Sequence, residues 1–310
     1  MSENTNIEWT DATWNFLAGC SLKSPGCTNC YAMFMAARLE AMALADIEAG
    51  RDPGGKRKYI GTTRKGARGA IWTGKVNFDE TMLLAPLKRR RPTMYFVNSE
   101  SDLFHETVPV TWIDQAFEVM EQCRRHTFQI LTKRPARMAS YCGWRWGKRE
   151  DGPGYRIPSR NVWLGTSIEN RAELHRLESL RAAPAAIRFL SLEPLLESLG
   201  TIDLTGIGWV IVGGESQPGA RPMHPNWATE IRDQCVEAGV PFFFKQWGEW
   251  APGDESDEQR LGVLKVQLAS DHDSRVQFIG HDRQPTFRMG KKASGRLLGG
   301  REWNEMPATA

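Results

Sequence analysis

The chain has 310 residues, 41% hydrophobic and 25% charged, with 40 basic against 37 acidic residues and a formal net charge of +3. That composition excludes a disordered polyelectrolyte, and so even a balance gives no global pull toward nucleic acid: any basic footprint is local. No basic start leads into an apolar run, and no segment approaches the ~18 consecutive apolar residues of a membrane helix, so the expectation is a cytoplasmic protein with no membrane partner.

In chain order, short apolar runs ending in polar tips predict strands at 14–18, 71–78, 93–97, 127–131, 162–165, 187–190, 209–212 and 241–244. Amphipathic stretches predict helices at 31–47, 79–90, 111–124, 135–144, 171–182 and 225–238, with Pro135 and Pro225 suited to a first helical turn. Only 193–208 lacks a long helical pattern between two strands. The alternation predicts an α/β chain: a (β/α)8-type or partial TIM-like parallel barrel over 1–248, with a C-terminal appendage, 249–310, packing on it. A doubly wound sheet is the alternative, but no Gly-rich dinucleotide fingerprint follows the first strand. Insertions at 49–69 and 143–160 read as surface loops near the active face. In the appendage, 249–259 is acidic, 261–280 reads as a small hairpin, and 288–306 is basic and Gly-rich.

Functional groups of a parallel barrel collect at the carboxyl ends of its strands. There the sequence places Asn98 to Asp102 with His105, Thr132-Lys133-Arg134, Ser167 with Glu169, Glu193, Gly213-Gly214-Glu215 and Lys245. Lys133, Glu193 and Lys245 directly follow buried-looking runs, which holds a charge in a partly desolvated mouth; with Asp102 they form the candidate catalytic rim. Two glycines before Glu215 let a ligand approach the backbone, with the carboxylate accepting from an ammonium group. Lys56-Arg57-Lys58, Arg64-Lys65, Arg68 and Lys88 to Arg91, near Tyr59, Trp72, Trp144 and Trp146, suggest nucleic-acid contact through phosphate neutralisation and base stacking.

The most chemically specific feature is GCSLKSPGCTNCYA, with Cys20, Cys27 and Cys30 on one Gly/Pro/Asn-rich loop. Three thiolates hold three irons of a 4Fe-4S cube and leave the fourth open, or hold three of the four corners around zinc, with His105 or Cys142 completing the set. In a reducing compartment thiols or metal ligands are expected rather than disulfides, and Cys123 and Cys235 fall in helical patterns that suit packing. A zinc-binding nucleic-acid or partner-binding protein is therefore the main rival to an iron-sulfur enzyme. A metal-independent hydrolase using Glu169, Glu193 or Glu215 is a third reading.

IEWTDATWNFLAGCSLKSPGCTNCYA, FVNSESDLFHETVP, QILTKRP, LGTSIEN, FLSLEPLL, VIVGGESQPGARPM, PFFFKQWG and GKKASGRLLGGREWNEMP occur in an order that resembles a phage- and bacteria-associated group of three-cysteine-motif proteins, similar to radical S-adenosylmethionine enzymes and largely without an assigned role. The resemblance implies that Cys20, Cys27 and Cys30 ligate a 4Fe-4S cluster and that S-adenosylmethionine chelates the open iron. It implies release of a 5'-deoxyadenosyl radical that abstracts a substrate hydrogen, with an electron donor of flavodoxin or ferredoxin type. Gly213, Gly214 and Glu215 resemble the element that meets the methionine amino group, Ser167 and Glu169 would face the ribose, and Tyr31 stands beside the last cysteine. A nucleobase or nucleic acid is the implied substrate class, and a protein partner is a further expectation. The chain departs from the commonest pattern, which spaces its cysteines three and two residues apart where this loop has gaps of six and two. Its Gly-Gly-Glu element also follows the seventh expected strand instead of the second, and the aromatic follows the last cysteine where the common pattern sets it before.

Overall fold

Seven of the expected strand segments line up in one sheet. The computed structural model describes residues 5–67, 69–146, 157–253 and 275–308. Its first half runs β1 (Ala12–Trp14), β2 (Leu17–Ala18), α1 (Tyr31–Glu48), β3 (Thr63–Gly66), β4 (Gly69–Trp72), β5 (Asn77–Phe78), α2 (Glu80–Leu83) and α3 (Ala85–Lys88). Strands and helices then alternate as β6 (Met94–Val97), α4 (Val110–Gln122), β7 (Thr127–Thr132), α5 (Pro135–Trp146), β8 (Val162–Ser167), α6 (Arg176–Ala182) and β9 (Ile187–Leu192). After these come β10 (Trp209–Gly213), α7 (Pro225–Ala238), β11 (Phe242–Gln246), β12 (Trp250–Pro252), β13 (Val276–Ile279), β14 (Gln284–Arg288) and a last short helix, Lys291–Ser294.

The sheet order is β1-β6-β7-β8-β9-β10-β11, strictly sequential among its members, and the strands run parallel. A doubly wound sheet reverses its order at a switch point; this one does not, so the topology is that of a partial TIM-like barrel. β8 and β10 are buried along their whole length, as strands of a parallel sheet covered on both faces must be.

The structure corrects the expected strand at 71–78. Gly74, at φ 85, interrupts it, so β4 pairs antiparallel with β3 while β5 pairs antiparallel with β2. The expected strand at 14–18 divides in the same way: β1 joins the main sheet and β2 leaves it. Among the described residues the main sheet therefore has seven strands where the sequence suggested eight.

The chain divides into two compact units, one holding residues up to Ser167 with His175–Phe189, the other holding Ile168–Leu174 and Leu190–Ala308. In the first, Trp14, Tyr95 and Phe128 are fully buried and meet ring to ring, Phe128 lying 5.3 Å from Trp14 and 5.5 Å from Tyr95. In the second, Trp209 and Phe242 to Phe244 fill the interior, and Trp303 packs edge-on against Phe242. The expected hairpin at 261–280 falls largely outside the described residues; the antiparallel sheet found there has the order β12-β14-β13. Among the described residues, no helix is long and apolar enough to cross a membrane.

Candidate metal centre and the charged strand ends

Local backbone chemistry places the three cysteines. Gly19 sits at φ 102 in a parallel bridge to Ser101, and a β-carbon there would overlap the carbonyl oxygen of Lys75. Only glycine fits such an approach. The next residue, Cys20, is pinned by its carbonyl, which accepts from Gly74 N at 3.1 Å. Pro25–Cys27 forms one 3-10 turn, closed by Cys27 N donating to Ser24 O at 2.9 Å, and Cys30 caps the N-terminus of α1.

The thiols gather in an apolar setting. Cys20 and Cys30 pack against a buried cluster of Ala18, Ala32, Met33, Ala36, Tyr59 and Trp72. Burial pushes the Cys20 thiol up to about 12, with Asp102, Cys30 and Cys27 adding to the rise and Arg134 opposing it. Burial, then the neighbouring Cys27, also raises Cys30, against the first-turn amides of Met33 and Ala32 and the ammonium of Lys133. All three sulfurs therefore lie within electrostatic reach of one another. The remaining cysteines are buried in helices or their ends: Cys142 in α5 and Cys235 in α7 are each pushed up to about 12 by burial.

Tyr59 comes from the insertion at 49–69 and Trp72 from the end of β4 just after it, and the insertion is fastened to α1. Glu40 of α1 accepts from Gly61 N at 2.6 Å and Thr63 Oγ1 at 2.7 Å, and Tyr59 donates to Glu100. The insertion thus dries the thiol pocket from one side. This corrects the stacking role expected of these aromatics: Tyr59, Trp72 and Trp146 are buried, and of the four only Trp144 is exposed.

Behind Cys20 stands a network that the sequence did not announce. The buried guanidinium of Arg134 donates to Asp102 Oδ2 at 3.0 Å, Glu106 Oε2 at 2.6 Å, Ser21 Oγ at 2.7 Å and Cys20 Sγ at 3.9 Å. Asp102 also accepts from Thr132 Oγ1 at 2.6 Å, Phe104 N at 2.9 Å and Lys133 N at 3.2 Å. Four donors converge on one carboxylate, which tie the end of β7 to the cysteine loop; Asp102 is built to position its neighbours. His105 lies between Ser21 Oγ, 2.8 Å from Nε2, and Thr107 Oγ1, 2.9 Å from Nδ1. Tyr31, next to Cys30, donates to Ser99 O at 2.6 Å.

The other predicted residues belong to the second unit, except Ser167, which lies in the first. Lys245 on β11 and Glu193 just after β9 form an ion pair at 2.8 Å, and Glu193 accepts from Ser191 Oγ at 3.2 Å. Gly213 lets Glu193 approach: a β-carbon there would lie 2.8 Å from Oε1. A β-carbon on Gly214 would overlap the carbonyl of Trp247. What the two glycines admit is thus the protein's own chain. Glu215 accepts from Arg221 N at 2.8 Å, Nε at 3.0 Å and Nη2 at 2.6 Å, and Glu169 is buried.

Among the described residues no group of three or more His, Cys, Asp or Glu side chains is close enough to hold a single metal ion. A mononuclear zinc site needs its ligands ~2.0–2.3 Å from one centre, whereas a 4Fe-4S cube spreads its thiolates over separate irons. Cys20 and Cys30 against an apolar wall, Cys27 buried on the same loop, and cationic and amide donors around Cys30 make a donor set that a cube can take.

The model of a family described as "Protein of unknown function (DUF5131)" matches residues 4–307. No curated protein matches the chain. Two solved structures of spore photoproduct lyase variants are similar at 10% identity, with TM-scores of 0.38 and 0.35; each match covers 89% of this chain, and 68% and 67% of theirs.

Proposed function

The chain belongs to the DUF5131 family, and from the thiol geometry within it we propose a radical S-adenosylmethionine enzyme whose 4Fe-4S cluster is held by Cys20, Cys27 and Cys30. The observation that carries this reading is that Cys20 and Cys30 pack against one apolar cluster, with Cys27 buried on the same loop. When bound, cluster and S-adenosylmethionine together supply a 5'-deoxyadenosyl radical that abstracts a substrate hydrogen. The chain's own task is to hold and protect. Gly19 sets Cys20, the cap of α1 sets Cys30, and Tyr59 and Trp72 keep water from the sulfurs, which suits chemistry that solvent would quench. Lys133 brings a cation within reach of Cys30.

For substrate we favour a nucleobase or nucleic acid. The exposed Arg64 and Lys65 on β3, in the insertion that covers the thiol pocket, support that class. A flavodoxin- or ferredoxin-type protein is the proposed electron donor, and a cytoplasmic location follows from its chemistry.

Anaerobic reconstitution tests the reading. The expected product is brown, with about four irons and four sulfides per chain, and yields 5'-deoxyadenosine on reduction with S-adenosylmethionine. Cys20→Ala, Cys27→Ala or Cys30→Ala abolishes the cluster, while Cys123→Ala, Cys142→Ala and Cys235→Ala retain it. A colourless protein with stoichiometric zinc, or equal iron loss in all six variants, refutes the assignment.

A further inference from the structure

Resting on the assignment of Cys20, Cys27 and Cys30 as cluster ligands, we propose that Arg134 and Asp102 form a charge pair that sets the reduction potential of the cluster through Cys20. Arg134 is the group that favours the reduced state, and Asp102 opposes it. Both are positioning residues, neither in contact with substrate.

The geometry is specific. Nη1 of Arg134 reaches both Cys20 Sγ, at 3.9 Å, and Asp102 Oδ2, at 3.0 Å, while Nε and Nη2 are held by Glu106 and Ser21. With its guanidinium held on three sides the side chain cannot swing away. Its exposure is 4% and that of Asp102 8%, so mobile salt does not screen the pair as it would on the surface.

The direction of each effect follows from charge. A cluster gains an electron on reduction, and a cationic donor to a ligating sulfur stabilises the more negative state; hydrogen bonds to cluster sulfurs and local charge are among the protein's recognised controls of potential. A guanidinium does not lose its proton in a protein, so this contribution is constant across the working pH range. The carboxylate beside it acts in the opposite sense on the same sulfur. The two charges act on Cys20 in opposite senses, so removal of either member shifts the balance in a direction known beforehand.

The test is a redox titration of the reconstituted full chain, following the electron paramagnetic resonance signal of the reduced cluster, alongside iron content and circular dichroism. Arg134→Gln is expected to lower the midpoint, with about a tenfold drop in the ratio of reduced to oxidised cluster at the wild-type midpoint, or about 59 mV for a one-electron couple. Asp102→Asn shifts it upward, and Arg134→Lys, which keeps the charge but loses the planar reach, shifts it downward by less. If Arg134→Gln fails to fold, the Arg134→Lys and Asp102→Asn comparison carries the same opposed signs. Variants with full iron and the wild-type midpoint, or shifts of the same sign from both residues, overturn the proposal. A wild-type chain that takes up no cluster instead overturns the functional reading on which it rests. A merely structural role for the pair changes melting and iron retention, not the sign of a midpoint shift.

Discussion

The α-carbon of Gly19 is pressed so closely against the carbonyl of Lys75 that any side chain would overlap the oxygen. Because Cys20 follows directly, this contact fixes where the first thiol stands. Gly19→Ala meets two penalties, a positive φ worth about 1–3 kcal/mol and a backbone displacement on top of it. Urea unfolding should show that loss, and reconstitution should show reduced iron per chain. Gly143→Ala is the control: in α5 a β-carbon meets nothing within 4 Å, so the substitution should add about 0.5–1 kcal/mol of stability and leave iron unchanged. Normal iron loading in Gly19→Ala would show that the approach to Lys75 does not govern Cys20.

Much of this fold was legible because its elements carry explicit end signals. α7 begins at Pro225 and ends before Gly239 in the left-handed region, and both boundaries coincide with those read from sequence. The buried strands β8 to β11 were visible as apolar runs. The 71–78 segment was misread because its apolar residues continue across Gly74, whose turn is a backbone property that hydrophobicity does not report. At the site, the cysteines were legible from type and spacing. The guanidinium of Arg134 was not, although it stands in the Thr132-Lys133-Arg134 tip, because nothing local says which of two adjacent cations turns inward. The partners of Arg134 are 28 to 114 residues away, and only the fold assembles them.

Binding of single-stranded oligonucleotide tests the proposed substrate class. Arg64 and Lys65 are exposed on a hairpin strand, where a phosphate backbone is within their reach. Arg64→Ala with Lys65→Ala should weaken binding across sequences and flatten the slope of log affinity against log salt by about 1 per cation removed. Since Tyr59 and Trp72 are buried in the thiol pocket, base stacking on them is not available to compensate. An unchanged salt slope would assign any nucleic-acid contact to a different surface.

Lys245 and Glu193 face each other at 2.8 Å with side-chain exposures of 19% and 13%. In a pair this shielded from solvent, losing one member strands the other as an unpaired, partly desolvated charge. Glu193→Gln and Lys245→Met should each cost about 1–3 kcal/mol. The double variant should cost less than their sum, with a coupling of about 0.5–3 kcal/mol. Additive losses in urea unfolding would mean the two charges do not stabilise each other.

His126 gives the stability of the chain a pH dependence independent of any metal. Its ring is buried, with Nε2 donating to Pro86 O at 3.2 Å and Arg89 O at 3.1 Å. Burial lowers its pKa, Arg125 and Arg89 push the same way, and the two carbonyls only partly offset them. The unfolded chain therefore takes up a proton near pH 6.5 that the folded chain refuses. Over that window the unfolded state binds more protons, so stability is complete above pH 6.5 and falls as pH drops toward the folded-state value. His126→Gln keeps an amide donor for the carbonyls but cannot titrate. Urea unfolding between pH 7.5 and pH 5 should give a shallower decline for this variant than for the wild type. Parallel declines would show that protonation of His126 is not coupled to folding.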